Sequence, residues 1–298
     1  MTTFVQLLSS GLALGAIYAL IALGFVIIYR GSEVFNFAHG ELLTIGAFFM
    51  VSLTGLGVPW GLALLVAMAG TGLLAATLER LLLRRFVGRP VYVSIILTII
   101  IGHVLRAAML LIWGGDQRGM PVPWETTATF EIGGAQILYN GLAAVVFGAV
   151  AMGVFVYVLR YTRLGLGMRA SAADQEAALA VGIPVGRVLM LTWFIAGACA
   201  ALAGIFLGTF PRAVEVNLSF VALRAFPAII VGGLDSVGGT VIAGLGLGIL
   251  EVMAQGYVNP LLGNFGQNLH EVFPYVIMIL FLVVRPYGLF GRKDVERV

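Results

Sequence analysis

The chain has 298 residues, of which 60% are hydrophobic and only 10% are charged. A soluble domain of this length could neither bury nor expose so much apolar surface, so the composition indicates an all-α protein that crosses a membrane several times. The net charge of +3 is too small to indicate a nucleic-acid partner. The single cysteine, Cys199, excludes an intrachain disulfide and a thiolate metal cluster.

Apolar segments follow one another along the whole chain as candidate membrane spans. A helix needs about 20 residues to cross a bilayer, so the segments at 42–56, 219–234 and 272–284 are short and predict that some spans are re-entrant or broken. We therefore expect about eight or nine crossings. The first segment is too long for the core of a signal peptide and predicts a retained span. The segments are 4–29, 42–56, 58–77, 91–113, 137–159, 188–210, 219–234, 240–257 and 272–284.

Basic residues mark the cytoplasmic side of this helix bundle. Twelve of the 17 Lys and Arg residues lie in the blocks Arg80–Arg89, Arg160–Arg187 and Arg285–Arg297, which the positive-inside rule places in the cytoplasm. The loop 114–136 holds three acidic residues against one Arg and is expected outside. We expect residues 1–298 to form a single transmembrane domain, in which the side of the N-terminus depends on whether the number of crossings is odd.

Glycine recurs at four-residue spacing within the apolar segments, as in Gly11 with Gly15 and Gly244 with Gly248. Small residues on one face let helix backbones approach closely, so these positions predict tight helix packing. The run Val231–Gly239 holds four glycines and one carboxylate, and this composition predicts an interrupted helix.

One polar segment, 171–182, lies between basic residues of the loop at 160–187. Ser171 with Asp174 fits an N-cap pattern, in which the serine hydroxyl accepts the first free amides of a helix. Gly182 predicts a left-handed helix stop, and Pro184 prevents the helix from continuing. Because small alanines leave this helix thin, we predict that it docks into a cleft of another protein.

Three polar residues follow the first span directly: Asn36, His39 and Glu41. Such a group can relay protons, bind a cation or hydrogen-bond the loosened backbone of a corner between two spans. Catalysis would need a further partner, and the sequence contains none, so a structural corner is favoured.

Ionisable residues also lie inside the predicted spans. His103 and Arg106 are three residues apart and share a helix face. An arginine at this depth must face protein, a partner or water. Glu251, in the eighth segment, is a candidate partner, and a structural ion pair is favoured over a substrate contact.

Enzyme motifs are absent from the sequence. It has no phosphate-binding Gly-x-x-x-x-Gly-Lys-Ser/Thr loop, no His-Glu-x-x-His and no Gly-x-Ser-x-Gly. The chain is therefore expected to bind no metal or cofactor and to hydrolyse no ATP by itself.

Three stretches of the chain carry a family resemblance. Glu176-Ala177-Ala178-x-x-x-Gly182 resembles the EAA-x3-G signature of ABC importer permeases, whose coupling helix fits a cleft on the ATPase subunit. The run Gly15–Gly24 continuing into Phe35–Glu41 is similar to the N-terminal hallmark of the branched-chain amino acid permeases of the LivH type, and Val284–Gly291 is similar to their ending. The resemblance extends over nearly the whole chain.

This resemblance implies a permease subunit that translocates branched-chain or related amino acids through the bacterial inner membrane. The implied partners are a second homologous permease subunit, two cytosolic ABC ATPases that use the ATP, and an extracytoplasmic solute-binding protein. Membrane lipid is expected to surround the permease subunits. Glu176, Ala177, Ala178 and Gly182 are implied to contact the ATPase. Asn36, His39 and Glu41 match a motif assigned to a helix corner near the pathway.

Other functions stay open from the sequence alone. Family members are also associated with urea, amides and small carboxylates. A secondary transporter or channel that works without ATP would use Glu41 or Glu251 for ion coupling. An integral-membrane enzyme would use His39 and Glu41 as acid and base.

Overall fold

The computed structural model describes residues 2–32, 34–86, 90–209, 211–263 and 268–291. These residues form mainly α-helices, with one antiparallel pair of strands, a 3₁₀ turn at Leu83–Phe86 and a π-helical turn at Ala254–Val258. The elements are α1 Thr2–Ser32, α2 His39–Gly55, α3 Trp60–Leu81, α4 Val91–Trp113, β1 Thr129–Ile132, β2 Ala135–Leu138, α5 Tyr139–Tyr161, α6 Arg163–Ala173, α7 Gln175–Ala180, α8 Val185–Leu207, α9 Leu218–Leu223, α10 Phe226–Gly232, α11 Val237–Met253, α12 Asn259–Leu261 and α13 Leu269–Val284.

The prediction of an all-α protein with several membrane spans is confirmed. Within the described residues, six helical stretches are long and apolar enough to cross a bilayer: α1, α3 with the 3₁₀ turn after it, α4, α5, α8, and the stretch Val237–Leu261 that joins α11, the π-helical turn and α12. The apolar segments that are too short to cross a bilayer in the sequence correspond to shorter helices in the structure. Helix α2 has 17 residues, α13 has 16, and the segment at 219–234 is broken into α9 and α10.

Helix α1 lies at the centre of the bundle, where it packs against α11, α8 and α5. Nearly all its residues from Ala13 to Ile28 are buried, so its surface is apolar on every side rather than amphipathic. Glycine makes this close packing possible. A Cβ atom added at Gly15 would lie only 2.7 Å from the carbonyl oxygen of Leu245, and one added at Gly244 would lie 2.7 Å from Cα of Ala19. The predicted tight packing at these glycines is confirmed.

The two ends of α1 relate the bundle to the two sides of the membrane. A Cβ added at Gly134, in the turn of the β1–β2 hairpin, would lie 3.1 Å from Thr2, whereas Arg30 lies beside Arg169 at the opposite end. The positive-inside rule places Arg169 in the cytoplasm and the acidic loop with its hairpin outside. The rule therefore predicts that the N-terminal end of α1 lies on the outer side.

Two local features differ from the sequence expectations or refine them. The segment at 137–159 does not begin as a helix, because Ile137 pairs with Phe130 in the hairpin and α5 begins at Tyr139. The glycine-rich run at 231–239 interrupts the helix as predicted. Gly233 has φ 97°, a conformation that glycine adopts without strain, and α11 begins at Val237.

Candidate functional site

Two short helices, α6 and α7, form the polar segment that the positive-inside rule places in the cytoplasm. The Thr162 hydroxyl accepts the N–H of Gly165 and caps α6. At Asp174 the backbone is extended, with φ −163° and ψ 114°, and Oδ1 accepts the N–H groups of both Glu176 and Ala177 at 2.9 Å. Asp174 is therefore the N-cap of α7, and one carboxylate satisfies two of the free amides in its first turn.

The prediction that Ser171 caps this helix is wrong. Ser171 lies inside α6 and is buried, and its hydroxyl makes no hydrogen bond within the described part of the chain. The sequence spacing was correct for a cap, but Ala172 and Ala173 favour continuation of α6, so the break falls at Asp174. The predicted stop at Gly182 is confirmed, because this residue has φ 84°.

The outer surface of α7 is small and partly apolar. Glu176 and Ala177 are exposed, and Leu179 and Val181 have exposed fractions of 59% and 76%. Ala178 faces the other way. It is buried beside Val185 and Leu189 at the start of α8, and so holds α7 against the membrane domain. The segment thus exposes an apolar tip, while its inner side packs on the start of α8.

The corner before α2 is built by Asn36 and His39. The side-chain Oδ1 of Asn36 accepts a hydrogen bond from the N–H of Ala38 at 3.1 Å, and the backbone carbonyl of Asn36 accepts one from the N–H of His39 at 3.1 Å. The His39 ring is completely buried against Phe25, with ring centroids 4.5 Å apart, and among the described residues neither ring nitrogen hydrogen-bonds to Glu41 or to another side chain. His39 and Glu41 therefore form no hydrogen-bonded relay, and the geometry fits a packed corner.

Glu41 points from the first turn of α2 toward α4. A Cβ added at Gly102 would lie 3.3 Å from its Oε2, so the absence of a side chain at Gly102 gives the carboxylate its space. Glu41 is also near enough to Arg106 for electrostatic attraction. The Glu41 carboxylate oxygens lie more than 4.0 Å from the Arg106 nitrogens, because the ion pairs of the described residues involve other arginines.

The expected partnership of Arg106 with Glu251 is wrong. Arg106 instead donates to the Asn217 side chain at 2.6 Å and to the Ser219 hydroxyl at 3.2 Å, and its guanidinium lies 4.4 Å from the centre of the Phe220 ring. Sequence spacing places His103 and Arg106 on one face of α4. It does not predict that residues at the start of α9, more than a hundred positions later, supply the hydrogen-bond acceptors of Arg106.

Glu251 has different partners at the break between α9 and α10. Its Oε2 accepts the Tyr18 hydroxyl at 2.7 Å, and its Oε1 lies 3.9 Å from Arg224, the residue that follows α9. Arg224 also pairs with Glu271 of α13 at 2.8 Å. The charge cluster connects α1, α11, α13 and the broken segment, at a place where membrane proteins commonly hold functional polar groups.

Reasoning from the sequence missed Arg224, Asn217, Ser219 and Tyr18. A signal for Arg224 was available, because it is a charged residue inside a short apolar segment.

Among the residues that the structure describes, no three His, Cys, Asp or Glu side chains lie together as a metal site. A cavity of about 420 Å³ lies near the hairpin, and Arg212, Gln255 and Ser10 contribute to its lining.

Comparisons with known proteins agree with this architecture. A family model described as "Branched-chain amino acid transport system / permease component" matches residues 7–282. The permease protein LivH of the high-affinity branched-chain amino acid transport system of Escherichia coli (strain K12) is 31% identical, over 99% of this chain and 98% of that protein.

Two further relatives show how far the similarity extends. The corresponding permease protein BraD of Pseudomonas aeruginosa (strain PAO1) is 30% identical, with 99% of this chain and 98% of that protein covered. The galactofuranose transporter permease protein YtfT of Escherichia coli (strain K12) is 25% identical, over 90% of this chain and 76% of that protein. No solved structure gives a significant match to the chain.

The family match and the apolar helices agree on a multi-pass membrane protein that serves as a transport subunit and not as an enzyme. The chain belongs to the family of branched-chain amino acid transport system permease components.

Proposed function

We propose that this chain imports branched-chain amino acids as one of two permease subunits of an ATP-driven transporter in the bacterial inner membrane. The observation that carries the proposal is the family match over residues 7–282, together with near full-length similarity to permeases named for branched-chain amino acids. The partners in this proposal are a homologous permease, two cytosolic ABC ATPases and an extracytoplasmic solute-binding protein. The ATPases bind and hydrolyse the ATP.

In this proposal, residues 1–298 form one transmembrane domain, and the loop at 160–187 transmits the force of ATP binding to it. The geometry of α7 supports this role. Its tip exposes Leu179 and Val181, whereas Ala178 on its inner side packs against the start of α8. A partner that moves the tip would therefore move α8 through direct contact. Glu176, Ala177 and Gly182 lie at the exposed tip beside the proposed ATPase surface.

The substrate pathway in this proposal runs along a face of the bundle that carries a charged arginine and is therefore unsuited to contact with lipid. We define the α4–α9 face by His103, Arg106, Asn217, Phe220 and Leu223, each exposed or half-exposed in the single chain. Arg106 lies about 10 Å along α4 from its outer end at Trp113. A charged side chain at that depth needs water or protein around it. The companion permease is proposed to cover this face and leave a polar passage between the subunits.

Uptake by the reconstituted system tests the proposed function. Proteoliposomes holding both permeases and both ATPases are supplied with the binding protein and radiolabelled L-leucine, and ionophores remove all proton and sodium gradients. We expect uptake that requires ATP and ceases with a non-hydrolysable analogue. Uptake that follows an ion gradient and continues without the ATPases would contradict the proposal and favour a secondary transporter.

A further inference from the structure

Arg106 differs from Arg224, another arginine within the apolar segments, because no carboxylate of the described residues pairs with it. Arg224 is neutralised by Glu271 at 2.8 Å and by Glu251 at 3.9 Å. Arg106 is held by two neutral acceptors, Asn217 and Ser219, and within the described ranges no carboxylate oxygen lies within 4.0 Å of it. Its charge at this depth is therefore held in place but not paired.

The neutral contacts also orient the guanidinium. Two hydrogen bonds use two of its five N–H groups, and its Cζ lies over the Phe220 ring, 4.4 Å from the ring centre, within the distance of a cation–π contact. The remaining N–H groups form a fork of the kind that binds a carboxylate through two parallel hydrogen bonds. Because Asn217 and Phe220 are both exposed, a small molecule can approach this fork from the α4–α9 face.

The residues around Arg106 fit the side chain and the ammonium group of an aliphatic amino acid. Leu223, one turn after Phe220 on α9, has an exposed fraction of 38% and offers an apolar contact. The Ser219 hydroxyl that accepts from Arg106 is also in hydrogen-bonding contact with Glu41, whose carboxylate attracts the guanidinium at a distance longer than an ion pair. A zwitterion that approaches from the α4–α9 face would place its carboxylate on Arg106 and its ammonium group toward Glu41.

We infer that Arg106 binds the carboxylate of the amino acid as it passes along the α4–α9 face, with Asn217, Ser219 and Phe220 as positioning residues. The inference rests on the proposed amino-acid import. It assigns the site to a small zwitterion, rather than to an acidic side chain of the companion permease.

Cysteine labelling tests this site in the assembled transporter. The natural Cys199 is buried, so the unaltered chain gives little background with a charged, water-soluble methanethiosulfonate reagent. Leu223→Cys then reports on the α4–α9 face, and modification is read from the mass of this chain alone. We expect Leu223→Cys to be modified, because the face is wet. L-leucine should slow the modification, and L-leucinamide, which lacks the carboxylate, should slow it far less.

Substitution of Arg106 completes the test. In the Leu223→Cys chain, Arg106→Gln should raise the L-leucine concentration needed for half protection at least about tenfold, as expected for loss of a charged hydrogen bond. Arg106→Lys should keep part of the protection. If Arg106→Gln prevents assembly, the comparison of L-leucine with L-leucinamide in the Leu223→Cys chain that retains Arg106 still tests the inference.

Each contrary result has its own meaning. An unreactive Leu223→Cys, as expected if a companion subunit or lipid seals the face, overturns the inference. Equal protection by L-leucine and L-leucinamide, or protection that survives Arg106→Gln unchanged, also overturns it. In all these cases ATP-driven leucine uptake by the unaltered transporter would leave the proposed function intact, whereas loss of that uptake would reject the function itself.

Discussion

The contact between α1 and α11 allows a quantitative test of the fold. In Gly244→Ala, the added Cβ would lie 2.7 Å from both N and Cα of Ala19 and 3.0 Å from its Cβ. These are mainly backbone atoms of a completely buried residue, so no side chain can rotate away. The two helices must separate by several tenths of an ångström over their contact to restore ordinary van der Waals distances.

The expected cost follows from two opposing effects. Overpacking of a core costs about 1–3 kcal/mol, and rigid backbone neighbours place Gly244→Ala near the upper end. Alanine favours the helix over glycine by about 1 kcal/mol, which leaves a net loss of about 2 kcal/mol. Gly246→Ala is the matched control in the same helix, because nothing lies within 4 Å of a Cβ added there. It should gain up to about 1 kcal/mol from helix propensity alone.

Thermal denaturation of the purified chain in detergent measures this difference. We expect Gly244→Ala to lower the unfolding temperature by several degrees, and Gly246→Ala to leave it unchanged or raise it slightly. Equal unfolding temperatures for the two variants would refute the close α1–α11 packing. A loss at Gly246→Ala alone would place the wrong face of α11 against α1.

Three further predictions concern the cytoplasmic segment and the charge cluster. Asp174→Ala removes the acceptor of two amides and should destabilise α7 by about 1 kcal/mol, which appears as faster hydrogen exchange over residues 175–180 than in Asp174→Asn; identical exchange in the two variants would argue against the cap. Gly182→Leu must place a side chain at φ 84°, at a cost of about 1–2 kcal/mol, and should weaken co-purification with the ATPases while membrane insertion stays normal. Gly182→Asn should be milder because asparagine tolerates this conformation, and undiminished co-purification of Gly182→Leu would count against the role of the segment. Glu251→Leu leaves the buried Tyr18 hydroxyl without its acceptor and should cost about 1–3 kcal/mol in thermal stability, more than Glu251→Gln does. Adding Tyr18→Phe to Glu251→Leu should restore part of that loss, and absence of any rescue would mean that the hydrogen bond contributes little.

Local chemistry in the sequence accounts for much of the fold. The apolar segments predict the helices, and the short segment at 219–234 and the glycines at 231–239 predict the breaks before α10 and before α11. Gly182 was predictable as a helix stop, because a left-handed residue at a helix end is a property of a single position. These features depend on neighbours in sequence, which is the information that a single chain provides.

Contacts between distant segments were beyond the same reasoning. Glu251 was a reasonable partner for Arg106 by charge, but the start of α9 supplies the neutral acceptors Asn217 and Ser219 instead. The choice of Asp174 over Ser171 as the cap depends on how far α6 continues. Ala172 and Ala173 favour continuation of α6 beyond Ser171, so this serine lies inside the helix and its hydroxyl caps nothing.

Photo-crosslinking from the tip of the cytoplasmic segment tests the central claim most directly. A photoreactive phenylalanine analogue at Val181, which has an exposed fraction of 76%, is compared with the same residue at Leu111 near the outer end of α4, exposed by 88%. In the assembled transporter we predict a cross-link from position 181 to an ATPase subunit and none from position 111. Cross-links from position 181 only to lipid, or to no ATPase, would contradict the account.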